Sequence, residues 1–318
     1  MENLQKVKKI IRESKDILIT CHINADGDAI GSMLALGFGL QALDKNVTMV
    51  CKDGIPKMYK SLPGSNKIQK SVKNKIFDLA ISVDCNASDI LGADFEIMNK
   101  AKNILEIDHH EFREPFGTLS LIDHTVAANG EIIYLLLKAL KIKFTQDIAQ
   151  NLLTALIVET NSFRLPQVKS LTFSICAELM KTGVDFMRLT NTVYWAQRKE
   201  SVLLTGICLS RCKFLNNGKV AWSVIKEHDF NTIKGIDEDV DAVPDIMRSV
   251  QEVKVSVFFR EQNDNTLRVS LRSKGHINIA KVAKEYGGGR HFDVAGCFIM
   301  NNVKAINEVL EKLSKLVN

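Results

Sequence analysis

No stretch of this chain stays apolar for the roughly 20 residues that a membrane span needs. Met1 to Asp16 mixes charges with Val7, Ile10 and Ile11 at helical spacing and lacks the apolar core of a secretion signal. The seven cysteines are scattered and include no C-x-x-C pair. Cys21, Cys51 and Cys85 fall at expected strand ends, and Cys176 and Cys208 in helical patterns. That excludes a disulfide framework or a zinc knuckle and places reduced thiols in the cytoplasm. Charge of one sign is scarce too, with 42 Lys and Arg against 37 Asp and Glu, a net of +5. Such a balance permits an anionic substrate, whereas a duplex-binding protein shows a stronger basic stripe. No internal repeat, low-complexity segment or Ser/Cys nucleophile triad is apparent. What is left is ordinary globular composition, 46% hydrophobic and 25% charged, over 318 residues. That length suits two domains.

Residues 1–185 alternate strand and helix, which predicts an α/β domain with a parallel, doubly wound sheet. Strands are expected at 16–21, 47–51, 77–83 and 103–107, with a short fifth at 119–122. Helices are expected at 4–14, 30–43, 129–140, 146–158 and 168–181. Residues 186–211 read as a helical linker. From 212 to 318 the pattern changes to a smaller α+β domain with a mixed, mainly antiparallel sheet. Its signals are a hairpin around Asn216-Asn217-Gly218, alternating strands at 253–260 and 266–272, a strand at 295–299, and helices at 277–286 and 303–316. Trp195 and Trp222 read as packing residues, and Gly235 and Arg248 carry no legible signal.

Three places concentrate chemistry. The first is Cys21-His22-Ile23-Asn24-Ala25-Asp26-Gly27-Asp28, between a buried strand and a helix. In parallel α/β sheets that turn is where ligands bind. One imidazole and two carboxylates within seven residues suit a divalent ion better than they suit a plain capped turn. The second is Asp84, at the end of the third expected strand, and the third is Asp108-His109-His110, at the end of the fourth. A lone Asp after a strand is ordinarily a turn former, and a His pair in a loop is ordinarily surface. All three at the same edge of one sheet point to convergence, because parallel strands lie about 5 Å apart. Ligands so placed can serve two ions about 3.5–4 Å apart, the spacing of two-metal hydrolases. Mixed imidazole and carboxylate donors favour manganese, zinc, iron or cobalt over calcium.

These motifs, in this order, resemble the DHH phosphoesterase superfamily, named for the triplet seen at Asp108-His109-His110. Its companions are His22-x3-Asp26-x-Asp28 with Gly31-Ser32, then Val83-Asp84, then Gly287-Gly288-Gly289-x-His291 with Ala295-Gly296. The resemblance covers nearly the whole chain, including a DHH-associated domain at 212–318, and its nearest branch is the nano-RNases. That branch degrades very short RNA and dephosphorylates 3′-phosphoadenosine 5′-phosphate. RecJ nucleases, cyclic-di-AMP phosphodiesterases and family II pyrophosphatases share the catalytic domain.

The resemblance implies two divalent ions, manganese foremost, held by His22, Asp26, Asp28, Asp84, His109 and Glu159. His22 and Asp26 would hold one ion, Asp28 and His109 the other, with Asp84 bridging. Among catalytic residues Asp84 is joined by Asp108, which would orient a histidine, and by His110, which would face the scissile phosphate. Glu159-Thr160-Asn161 stands where the family has Asp-Thr-Gly, so the last ligand reaches one methylene further. Arg272, Ser273, Gly288, Gly289 and His291 would bind the far end of the nucleotide. Arg290 replaces the usual fourth glycine, and Val294 the first alanine of the following pair. The expectation is a cytoplasmic enzyme that takes short RNA or a nucleotide phosphate in a cleft between its domains, without duplex or membrane partners; the family suggests a homodimer. The alternative activity is cyclic-di-AMP hydrolysis. The alternative of another class is a nucleotide-binding regulator on the same scaffold.

Overall fold

A computed structural model describes residues 3–72, 75–92, 94–195, 197–262, 264–275, 277–290 and 292–317. The fold is laid on a six-stranded parallel sheet within the first of two compact units, Met1–Ala196 and Gln197–Asn318. Along the first unit run α1 (Leu4–Glu13), β1 (Asp16–Cys21), α2 (Gly27–Gln41), β2 (Asn46–Val50), β3 (Ile68–Gln69) and β4 (Leu79–Val83). Then follow α3 (Asp94–Met98), β5 (Asn103–Asp108), β6 (Leu119–Ile122), α4 (Asn129–Ala139), α5 (Gln146–Glu159), α6 (Ser170–Met180) and α7 (Phe186–Tyr194). The strand order is β3-β2-β1-β4-β5-β6, every pairing parallel. The chain winds outward from β1 to β3, then returns to β4 on the other side of β1, so the carboxyl ends of β1 and β4 border a topological switch point.

β1 carries Ile17, Leu18 and Ile19 in a row because both of its faces are covered. Ile17 and Ile19 join Val7 and Ile11 of α1 and the apolar residues of α2, α4 and α5, while Leu18 faces a smaller cluster with Phe77, Ala80, Met98 and Ile104. Helix α2 begins at Gly27, three residues before the expected start, because the Asp26 carboxylate accepts the amides of Asp28 (2.9 Å) and Ala29 (3.0 Å) and caps it.

The second unit contains α8 (Lys199–Ser210), β7 (Lys213–Leu215), β8 (Val220–Ile225), α9 (Glu227–Ile233), α10 (Val243–Arg248), β9 (Val255–Glu261) and β10 (Thr266–Ser273). It ends with α11 (Ala280–Lys284), β11 (Gly289–Arg290), β12 (Val294–Met300) and α12 (Val303–Leu316). Its sheet runs β11-β12-β10-β9-β8-β7, antiparallel except for the parallel pair β8·β9. A parallel pair needs a crossover, and α9 and α10, which show no periodic signal in sequence, supply it. Arg260 of β9 is buried and ties that crossover down through Asp237 (2.6 Å) and Asp241 (2.9 Å). Helices α11 and α12 cover one face of the sheet; α8 and α10 cover part of the other. The single helical linker expected over 186–211 is two helices. Leu189 of α7 is buried in the first unit's core, and Leu204 and Cys208 of α8 in the second's. Among the described residues no helix is long and apolar enough to cross a membrane.

Candidate metal centre

His22 leaves the end of β1 with its ring fixed. Nδ1 lies 2.7 Å from the Ile23 carbonyl, so that nitrogen carries the proton and Nε2 keeps its lone pair. Nε2 lies 3.8 Å from Asp84 Oδ2. Asp28, in the first turn of α2, has no exposed surface. Its Oδ2 accepts the Asn129 amide at 2.7 Å, and its Oδ1 accepts the Gly130 amide at 2.9 Å and the Ser32 hydroxyl at 3.1 Å. The carboxylate therefore also serves the amino end of α4. Burial, then the charge of Asp84, push the Asp28 carboxyl well up, and His109 and the Asn129 amide oppose them.

Asp84 follows β4 in the left-handed region, φ 55°, with its amide bonded to the Ile107 carbonyl at 3.0 Å. Residues other than glycine are uncommon there, and Asp is among the few that adopt it readily. This backbone turns the carboxylate among three imidazoles: Oδ1 is 3.4 Å from His109 Nε2 and 3.8 Å from His110 Nδ1, and Oδ2 faces His22. Asp108 is fully buried and accepts from His110 Nδ1 at 2.7 Å. Burial alone would raise its carboxyl, but His110, His109 and Arg113 outweigh burial and hold it at about 2.

His109 Nε2 is the focus of the cluster. It lies 3.4 Å from Asp84, 3.9 Å from Asp28 and 3.7 Å from Glu159, too far for hydrogen bonds, and it has no hydrogen-bond partner although buried. A buried imidazole nitrogen ringed by three carboxylates at these distances fits a cation between them. Ligand atoms gather within 4.8 Å of one another in three sets: His22, Asp26 and Asp84; Asp28, His109 and Glu159; and Asp84, His109 and His110. Asp84 and His109 each belong to two of them. All six residues expected as ligands thus come together, from the ends of β1, β4, β5 and α5 and the start of α2.

Glu159 closes α5, and the chain after it takes an unusual path. Asn161, Ser162 and Phe163 all have left-handed backbone, φ 47°, 61° and 64°. Such residues cost about 1 kcal/mol or more each, so the surroundings must hold them. The Ser162 amide bonds the Ile157 carbonyl at 2.8 Å, the Phe163 amide the Thr160 hydroxyl at 2.9 Å, and the Arg164 amide the Thr160 carbonyl at 2.9 Å. The Ser162 and Tyr194 hydroxyls also touch. The family's glycine position is here Asn161, a residue that tolerates this conformation.

Two residues at this edge had no signal in the sequence. Arg113 spans Asp108 Oδ2 (3.3 Å) and the buried Glu106 (3.1 Å), giving two interior carboxylates one guanidinium. In sequence it sits in Glu111-Phe112-Arg113-Glu114, which resembles a solvated charged loop. Tyr59 is buried beside Asp26 and the Gly27 amide; burial and Asp26 push its hydroxyl up. Only the fold brings it there from a loop beyond β2.

In the second unit the three glycines of the triple stand in different surroundings. Gly287, φ 72°, ends α11, and the Gly288 amide bonds back to the Ala283 carbonyl at 2.9 Å. A Cβ on Gly288 would lie 2.0 Å from the Gly296 carbonyl, so β12 admits only glycine there. Gly289, φ 148°, opens β11 with little around it. Ser273 is buried and donates its hydroxyl to the Ile277 carbonyl at 2.8 Å. Arg272 Nε lies 3.4 Å from Asp245. His291 falls outside the described residues.

Residues 16–158 match the family model described as DHH family, N-terminal domain, and residues 217–318 match the DHHA1 domain. The chain is similar to proteins named bifunctional oligoribonuclease and PAP phosphatase NrnA. That of Thermus thermophilus is 29% identical over 317 residues, covering 98% of this chain and 93% of the relative. That of Bacillus subtilis is 25% identical over 288 residues, 89% of each chain. Among solved structures, an exopolyphosphatase-related protein from Bacteroides fragilis has a TM-score of 0.91 at 23% identity, covering 98% of this chain and 95% of its own. Exonuclease RecJ bound to manganese has a TM-score of 0.55 at 13% identity, covering 99% and 94%. At those identities the two structures speak for the fold. A DHH domain, with its triplet at the carboxyl edge of a parallel sheet, is followed by a DHHA1 domain, and on both counts the chain belongs to the DHH family.

Proposed function

We propose that this protein is a divalent-metal-dependent phosphoesterase that hydrolyses short oligoribonucleotides and 3′-phosphoadenosine 5′-phosphate. The observation that carries this reading is the convergence of His22, Asp26 and Asp84 with Asp28, His109 and Glu159 on one sheet edge. Similarity along most of the chain to proteins named for both activities supports the substrate class. The proposed cofactor is a pair of manganese ions, one with His22 and Asp26, one with Asp28, His109 and Glu159, sharing Asp84. Such ions lower the pKa of a water and offset charge on the phosphoryl oxygens.

The protein's own part is positioning. The Ile23 carbonyl keeps the His22 tautomer in which Nε2 is free to ligate. The amides of Asn129 and Gly130 orient Asp28. Asp108 fixes the Nδ1 side of His110, leaving Nε2 for a phosphoryl oxygen that gathers charge. Free cysteines throughout accord with a cytoplasmic enzyme.

The test is to load the purified chain with manganese and offer a diribonucleotide, 3′-phosphoadenosine 5′-phosphate, cyclic di-AMP and pyrophosphate. Hydrolysis of the first two ahead of the others is expected. Folded, metal-loaded protein that hydrolyses none of them overturns the reading, and binding without turnover leaves a regulator.

A further inference from the structure

Arg113 lies in the loop that joins β5 to β6, residues 109–118. These strands are parallel neighbours. Such a crossover ordinarily takes about a dozen residues or more and usually a helix. This one is shorter and has no helix, so side chains must fix the segment that opens with His109 and His110. Its later part is tied to Glu106. The Phe116 amide donates to Glu106 Oε1 at 2.9 Å, and a Cβ on Gly117 would meet Glu106 Cγ at 2.7 Å. Asn86 holds the middle: its carbonyl accepts the Glu114 amide at 2.8 Å, and its Nδ2 donates to the Phe112 carbonyl at 3.2 Å.

Arg113 links this loop back to the strand end. Glu106 and Asp108, two apart on β5, share one face of the sheet. Arg113 Nε donates to Asp108 Oδ2 at 3.3 Å. Its NH2 lies 3.1 Å from Glu106 Oε1, an ion pair rather than an aligned hydrogen bond. Both carboxylates are 1% exposed, and the arginine side chain 12%. The other oxygen of Asp108, Oδ1, accepts from His110 Nδ1 at 2.7 Å. A carboxylate turns easily about its last torsion. Here each oxygen is held by a different donor, which fixes that torsion and with it the ring of His110. An arginine that only neutralised buried charge would not have to meet a particular oxygen. A lysine supplies the charge but not a planar fork that spans two acids.

We infer that Arg113 is a positioning residue for the reaction: by holding Asp108 between itself and His110, it keeps His110 in the one orientation from which Nε2 meets the phosphoryl group. Arg113 acts through Asp108 and His110, and Glu106 anchors it. The inference rests on the phosphoesterase reading for its reaction, and its test separates the two.

The experiment measures kcat, KM and manganese affinity on a diribonucleotide for the wild type, Arg113→Met, Arg113→Lys, His110→Gln and the double variant Arg113→Met/His110→Gln. Arg113→Met should lower kcat about tenfold or more, with KM and manganese affinity nearly unchanged, and Arg113→Lys should recover part of the loss. In the His110→Gln background Arg113→Met should cost less than about twofold, because its effect passes through the missing ring. An unchanged kcat in Arg113→Met, the same fold loss in both backgrounds, or full recovery in Arg113→Lys overturns the inference. Should Arg113→Met fail to fold, Glu106→Gln/Arg113→Met, with one buried charge fewer, replaces it against Glu106→Gln as reference. If the wild type hydrolyses no substrate, the phosphoesterase reading falls and proton NMR of the metal-free protein decides the positioning. The downfield imidazole Nδ1 resonance that His110→Gln removes should shift or broaden in folded Arg113→Met; its persistence unchanged overturns the inference.

Discussion

Asp108 is a buried carboxylate that stays ionised because two imidazoles and a guanidinium face it: His110 at 2.7 Å, Arg113 at 3.3 Å and, more distantly, His109. A carboxyl held at about 2 against an unfolded value of about 3.9 stabilises the fold above that unfolded value. The contribution is lost as pH falls through about 2, and is worth about 2–3 kcal/mol at neutral pH. Urea unfolding of the metal-free first unit should therefore show Asp108→Asn as less stable near pH 6, with the gap to wild type narrowing between pH 4 and pH 2. A gap that does not change with pH would mean that shape, not charge, fixes this residue. Asp28 shows the opposite balance: burial and Asp84 raise its carboxyl, and backbone amides rather than a side-chain cation hold it. The residue types were legible in sequence as candidate metal ligands. Their supporting partners, an amide pair and an arginine in a charged loop, were not, because hydrogen bonds across the fold leave no local pattern.

Among elements, the pairing of α2 with α5 matters most to the site. They lie antiparallel: a Cβ on Gly27 would meet Val158 Cγ2 at 2.6 Å, and one on Gly31 would meet the Asn151 carbonyl at 2.4 Å. That approach brings Asp28, at the start of one helix, beside Glu159, at the end of the other. Gly31→Ala should cost about 1–3 kcal/mol by overpacking. It should also weaken metal binding by spreading Asp28 from Glu159, as read by calorimetry with manganese; a stability loss with unchanged metal affinity would uncouple packing from the site. Helix existence here was legible from apolar spacing, but not the start at Gly27, which the Asp26 cap decides. Helices α9 and α10 were missed because a six- or seven-residue crossover helix shows too little periodicity.

At the scale of the whole chain, the candidate metal-ligand clusters of the described residues all lie in the first unit. Each unit has its own core. Ligand binding to the native state stabilises by mass action, about 2.7 kcal/mol at a hundredfold excess over Kd. Adding manganese to chelated protein should raise the thermal transition of the first unit and leave that of the second in place, as seen by scanning calorimetry. Equal shifts of both would show that the units unfold as one.

The sequence by itself determined the class of fold, the order of the two domains and the set of candidate ligands. Strand and helix periodicity, and short motifs at strand ends, are local properties that survive in one dimension. Only the tertiary structure decided which of those residues meet. Glu159 joins Asp28 because the glycine-lined α2 packs closely against α5, and Asp84 reaches three histidines through a left-handed backbone. Arg113 acquires its role from Glu106 and Asp108, which lie on β5. The physical reason is that charge and close packing act through space, whereas periodicity acts along the chain.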